Sequence, residues 1–137
     1  MIFIDTNVIS ETLRKEPSRR VLDWLAAHDQ ELAIPTVTIA EIAFGIARIR
    51  PDERSQRLQQ GLDAWRARFS DRIFPFTEEA ALLYGDLMGE AARRGSALSV
   101  PDGMIAAVAL ANRGSLASRN VRDLLGVPVE VIDPWSS

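Results

Sequence analysis

The sequence has no cysteine, one histidine (His28) and one lysine (Lys15) among its 137 residues. Without cysteine there is no disulfide framework, no thiolate zinc site, no thiol nucleophile and no thiol redox centre. A single histidine excludes a multi-histidine metal site. A Ser-His-Asp triad would have to use His28, which the run Ala-His-Asp-Gln places at an exposed helix end, where an imidazole acts as a C-terminal cap. Lys15 lies in the turn Lys-Glu-Pro-Ser, with no glycine-rich phosphate loop around it. The longest strictly apolar run, Met104–Ala111, is eight residues, whereas a membrane span needs about 20. The start Met-Ile-Phe-Ile-Asp lacks the basic flank and long apolar stretch of a secretory signal. These features lead us to expect a soluble, cytoplasmic protein with no membrane partner.

What is present fits one domain over residues 1–137. Apolar residues make up 47 % and charged residues 26 %, and this length buries a core without covalent staples. The net charge of −3 is unevenly spread. Residues 48–72 hold seven arginines against four acids, a local excess of three positive charges, so the other residues together carry −6. Such a segment is either a solvated helix laced with ion pairs or a local polyanion-binding track.

Short apolar segments alternate with helical patterns. Strands are expected at Met1–Ile4, Leu32–Ile34, Ser115–Ser118 and Val129–Ile132, with Arg72–Phe76 a further strand or extended segment. Helices are expected at Val8–Leu13, Arg19–His28, about Ile39–Arg50, from Pro51-Asp52-Glu53 through Phe69, Thr77 to about Arg94, and about 103–112, with a helical turn at Val121–Leu124. Thr38 and Glu41 have the spacing of a capping box for the third helix. The helix from Thr77 carries Ala81, Gly85 and Gly89 four residues apart. Its two interior glycines cost about 1 kcal/mol each in helix propensity, and the stripe reads either as tight packing on the sheet or as a dimer face. The alternation indicates an α/β fold with a short, mostly parallel central sheet. In such folds the reactive crevice lies beyond the carboxyl ends of the strands.

Three acids stand where that rule directs attention. Asp5 ends the first strand, Glu41 follows the second strand in the first turn of a helix, and Asp102 opens the alanine-rich helix. Each has a purely local reading: Asp5 as an N-cap, Glu41 as the partner of Thr38, Asp102 as a favourable first-turn charge. Brought together, they would raise one another's pKa unless a counter-charge joined them. With oxygen donors and no nearby Cys or His, that counter-charge is Mg²⁺ or Mn²⁺. The segment Ser-Arg-Asn-Val-Arg-Asp at 118–123 reaches the same edge, with Asn120 and Asp123 as further oxygen groups and Arg119 and Arg122 as phosphate-binding cations. The rival acid-cluster chemistries fit less well. A receiver-like phospho-acceptor needs a late lysine, a phosphatase of the Asp-x-Asp type needs aspartate where Asn7 stands, and a dinucleotide fold needs glycines after the first strand.

Taken in order, Ile4-Asp5-Thr6-Asn7-Val8-Ile9-Ser10-Glu11, Thr38-Ile39-Ala40-Glu41-Ile42 with Gly45, Pro101-Asp102-Gly103-Met104-Ile105-Ala106-Ala107, Ser118–Asp123 and Pro134-Trp135 resemble the signatures of PIN-domain nucleases, in particular the VapC/FitB-type toxins. The resemblance runs along nearly the whole chain. It implies a PIN-like α/β/α sandwich and an Mg²⁺- or Mn²⁺-dependent endoribonuclease. It also implies a homodimer and a cognate antitoxin with a DNA-binding head that wraps the toxin and blocks the acidic pocket. By position, Asp5, Glu41 and Asp102 match the core acids, with Asp5 and Asp102 as direct ligands and Glu41 as a ligand or as the group that orients water. Thr6 matches a supporting hydroxyl. One departure stands out: many such proteins carry aspartate where this chain has Asn120, so a second ion would either bind weakly or take its carboxylate from Asp123. It also leaves open an alternative, a catalytically weak or inert module that binds RNA or a protein partner.

Overall fold

The computed structural model describes residues 1–137. The chain begins with β1 (Ile2–Ile4), three apolar residues that are all buried. Asp5 stops the strand and caps α1 (Thr6–Thr12) by accepting a hydrogen bond from the Thr6 amide. There follow α2 (Arg19–Ala27), β2 (Leu32–Pro35), α3 (Thr36–Arg48), α4 (Glu53–Arg68), β3 (Ile73–Phe74), α5 (Glu78–Arg93), α6 (Val100–Ala111), β4 (Ser115–Ala117) and β5 (Val131–Ile132).

All five strands are parallel, in the order β3-β2-β1-β4-β5. The chain builds outward from β1 to β3, then returns to add β4 and β5 on the other side. The switch of direction falls between β1 and β4, where a crevice opens at the carboxyl edge of such a sheet.

The two-residue period of a strand sorts its side chains between two faces. Ile2, Ile4, Leu32, Ile34 and Ala117 face a core shared with Val8, Ile9, Val21, Trp24, Ile42, Ile46 and Leu62 of α1 to α4. Phe3, Ala33 and Leu116 face a second core built from α5 and α6. The result is the expected α/β/α sandwich. Within α6, Gly103 and Ile105–Ala109 are buried, so small residues bring the helix close to its neighbours. A Cβ on Gly103 would stand 2.5 Å from Met88 Sδ, so the glycine beside Asp102 is what lets α6 approach α5 so closely. No helix is long and apolar enough to cross a membrane.

Several boundaries differ from the expected ones, for identifiable reasons. The capping box of Thr38 and Glu41 does not form. α3 begins at Thr36 directly after Pro35, with no side-chain cap, and the buried Thr38 hydroxyl instead donates to the Ile4 carbonyl at 2.9 Å. α6 begins at Val100 because Ser99 supplies the cap, accepting from the Asp102 amide at 3.3 Å, and Pro101 is tolerated in the first turn. Val121–Leu124 is the expected helical turn, held by the Leu124 amide on the Asn120 and Val121 carbonyls. The last strand is reduced to Val131–Ile132. His28 ends α2 as expected, but it is half-buried and stacked on Trp24, with ring centres 4.4 Å apart. Gly85 and Gly89 do not touch the sheet: a Cβ on Gly85 meets nothing within 4 Å, and one on Gly89 only the tip of Arg93.

Candidate active site

Parallel pairing of Ile4 with Ala117 carries both strands to the same level, so the next residues, Asp5 and Ser118, emerge side by side at the switch point. Asp5 is 2 % exposed. Its Oδ1 accepts from the Thr6 amide at 2.8 Å and its Oδ2 from the Ser118 hydroxyl at 2.6 Å. The Ser118 Oγ in turn accepts from the Asn120 amide at 3.0 Å and from Asn7 Nδ2 at 3.3 Å. Asn7 Oδ1 accepts from the Arg119 amide at 3.2 Å. Asp5 is therefore the N-cap that its local reading describes, and it is also the buried centre of a network joining β1, α1 and the segment after β4.

The remaining expected residues gather around it. The Thr6 hydroxyl donates to Glu41 Oε1, tying the start of α1 to α3. Burial pushes the Asp5 carboxyl up from 3.8 to about 6; Ser118 opposes the rise, while Asp102 adds to it, the Thr6 amide opposes it and Glu41 adds a little more. Burial also raises Asp102, the Ser99 hydroxyl offsets part of the rise, the neighbouring charge of Asp123 adds to it, and the Asn120 side chain favours the ionised form. Asp5, Thr6, Glu41, Asp102, Asn120 and Asp123 thus form one neighbourhood.

No three of the acidic side chains converge on one point closely enough to hold an ion by direct contacts alone. The donor set nevertheless suits a small hard cation. Mg²⁺ is commonly held through one or two carboxylates while keeping several waters. Asp5 and Asp102 offer two such carboxylates, each raised by burial and by a like charge that a cation would offset. Glu41 already shares one oxygen with Thr6.

Two participants lie outside the expected set of site residues, Ser118 and Asn7. Ser118 is fully buried and touches the carboxylate directly. Its role follows from the β1–β4 register, which strand lengths alone do not supply. The cleft with the most apolar lining lies elsewhere: about 280 Å³ between α2 and α4, walled by Leu22, Leu25 and Trp65, and with none of the expected site acids.

Comparison with known proteins agrees with this geometry. The PIN domain pattern matches residues 2–125. The VapC ribonuclease Y4jK of Sinorhizobium fredii is 36 % identical over 98 % of both chains. The toxin FitB of Neisseria gonorrhoeae is 33 % identical over 98 % of this chain and 99 % of its own. A solved structure of FitAB bound to an IR36 DNA fragment superposes with a TM-score of 0.89 at 32 % identity, covering 98 % of this chain and 96 % of the other. With the acids placed at the switch point of a parallel sheet and the likeness running the length of the chain, this protein belongs to the PIN-domain family, in its VapC/FitB branch.

Proposed function

We propose that this chain is the endoribonuclease toxin of a toxin–antitoxin pair, and that it hydrolyses RNA phosphodiester bonds with the help of Mg²⁺ or Mn²⁺. The observation that carries the reading is the acid neighbourhood at the β1–β4 switch point, where the buried Asp5 ends β1 beside Ser118, Glu41 is tied to it through Thr6, and Asp102 opens α6. Relatives that match nearly end to end are named a ribonuclease and a toxin.

Asp5 and Asp102 would hold the cation, which when bound supplies charge stabilisation at the phosphate and lowers the pKa of water. The chain's own residues do the positioning. Ser118 and the Thr6 amide lock the Asp5 carboxylate in orientation. Thr6 fixes Glu41 Oε1, which leaves Oε2 to hold the attacking water and accept its proton. Asn120 supports the Asp102 carboxylate without adding charge, which favours one ion over two. No covalent enzyme intermediate is required, in keeping with a chain that has no cysteine and no histidine in this neighbourhood.

The partner is a cognate antitoxin with a DNA-binding head, by analogy with FitAB on its DNA fragment. A homodimer uses the outer face of α5, where Leu82 is 69 % exposed and Gly85 borders open space. The protein acts in the cytoplasm, where RNA and antitoxin are both met.

The test is cleavage of RNA by the purified, antitoxin-free chain. Wild type should cut with Mg²⁺ or Mn²⁺ and stop with EDTA. Asp102→Asn, half-buried in the first turn of α6, should abolish cleavage while keeping its circular dichroism. Absence of wild-type cleavage with either ion would favour the inert binding module.

A further inference from the structure

The arginine-rich stretch divides when it folds. Arg66 pairs with Asp63 and Arg68 with Asp29, while Arg72 reaches the Asp29 carbonyl. Arg48, Arg54 and Arg57 turn instead to a cleft of about 380 Å³ between α1, α3 and α4, joined there by Arg14. Thr6 and Glu41 line the same cleft, so it is continuous with the acid neighbourhood. A volume of this size lies within the range of ligand sites.

The charges in this cleft are unequally compensated. Arg14 pairs with the buried Glu11 at 3.1 Å, and Arg54 with the exposed Asp52 at 3.2 Å. Arg57 gives Nη1 to the Leu13 carbonyl at 2.6 Å and has no carboxylate partner. Arg48 pairs with no carboxylate and lies 5.9 Å from the centre of the Phe44 ring, itself 68 % exposed. Two guanidiniums without a carboxylate partner therefore line a cleft that reaches the acid neighbourhood, and beside Arg48, just outside the lining, stands the exposed face of Phe44.

We propose that this cleft holds the phosphates of the RNA strand flanking the scissile bond, with Arg48 and Arg57 as positioning residues and Phe44 as a stacking surface for a flanking base. The inference rests on the ribonuclease reading. A polyanion attracts both guanidiniums, and phosphate contacts fix the register of a strand without reading its sequence. An acidic protein segment would satisfy the arginines but would gain nothing from Glu41 in the same wall, whereas a phosphodiester chain must pass the acids to be cut.

The experiment follows binding of a fluorescein-labelled, mixed-sequence single-stranded RNA of about 12 nucleotides in EDTA across a salt series, and cleavage of the same RNA in Mg²⁺. Arg48→Gln and Arg57→Gln should each weaken binding about three- to tenfold near 0.1 M salt and reduce the salt slope by about 0.7. KM should rise by the same factor with kcat within about twofold. Arg48→Lys should restore the slope, and Arg66→Gln should change nothing. The Arg48 guanidinium touches only the exposed Phe44 ring, so its variants test the proposal even if Arg57→Gln unfolds. Unchanged affinity and slope in the Arg48 variants would overturn it. So would loss of antitoxin binding with RNA binding intact, which would assign the cleft to a protein. If the Arg48 and Arg57 variants change affinity and slope as stated but wild type does not cut, the ribonuclease reading fails and the cleft stands only as an RNA-binding surface; if wild type binds no RNA, both fail.

Discussion

Replacing the central acid should make the ion-free protein more stable, not less. Asp5 ionises at about 6 in the folded chain against 3.8 in the ordinary case. Its contribution to stability is therefore whole below pH 3.8 and is lost as pH rises through about 6. At about 1.4 kcal/mol per pH unit, the ionised carboxylate disfavours the folded state by about 3 kcal/mol near neutral pH. Asn keeps the shape and cannot ionise, but it gives up one of the two acceptor oxygens that Thr6 and Ser118 use, at a cost of about 1 kcal/mol. Asp5→Asn should thus be about 2 kcal/mol more stable than wild type near pH 7.5 in EDTA, and equal or slightly weaker near pH 4. Urea unfolding followed by far-UV circular dichroism measures both. Excess Mg²⁺ should then raise the wild-type midpoint by mass action and leave Asp5→Asn unmoved. A variant less stable than wild type at neutral pH in EDTA, or a gap that does not change with pH, would refute the argument.

Other perturbations probe the surrounding structure. Ser118→Ala removes a hydroxyl that donates to Asp5 and accepts from Asn7 and Asn120; it should cost about 2 kcal/mol near pH 7, less at pH 4, and move the acid limb of the activity profile upward. Burial alone would raise the Glu11 carboxyl, but the Ser18 amide and Arg14 more than offset it, with help from Arg119, and hold it below the usual glutamate range. Glu11→Gln should therefore lose about 1–2 kcal/mol at neutral pH, a loss that shrinks as acid protonates wild-type Glu11. Gly85→Ala adds a methyl into open space; it should raise the stability of dilute, monomeric protein by about 0.5–1 kcal/mol by thermal unfolding, and Gly85→Leu should weaken self-association on a sizing column.

Much of this was legible in sequence. The strand around Ile2–Ile4, the stop at Asp5 and the alanine-rich helix after Pro101 were readable because apolar runs and capping residues act locally. Asp5 and Asp102 were readable because one ends a strand and the other lies in the first turn of a helix, positions that parallel sheets turn toward their crevice; Glu41 was read as a first-turn residue but lies in the second turn of α3, which starts at Thr36. What could not be read depended on partners distant in the chain. Thr38 looked like a cap because Glu41 stands three residues on, yet its hydroxyl bonds the Ile4 carbonyl, a contact that only the β1–α3 packing creates. Glu41 bonds Thr6 for the same reason. Ser118 was invisible as a support until the β1–β4 register set it beside Asp5. The arginine run could be counted, but its division into paired and unpaired members needed the helix rotations of α3 and α4.

The hydrogen bond from the Asn120 amide to Ser118 Oγ has a consequence for how this pocket can vary. That anchor is made by the main chain, so the path of the polypeptide at position 120 owes little to which side chain is mounted there. An amide or an acid can occupy the place while the scaffold stays still, and the electrical character of the pocket becomes adjustable by a single codon. A lineage built this way can change the charge of this crevice without relearning how to fold.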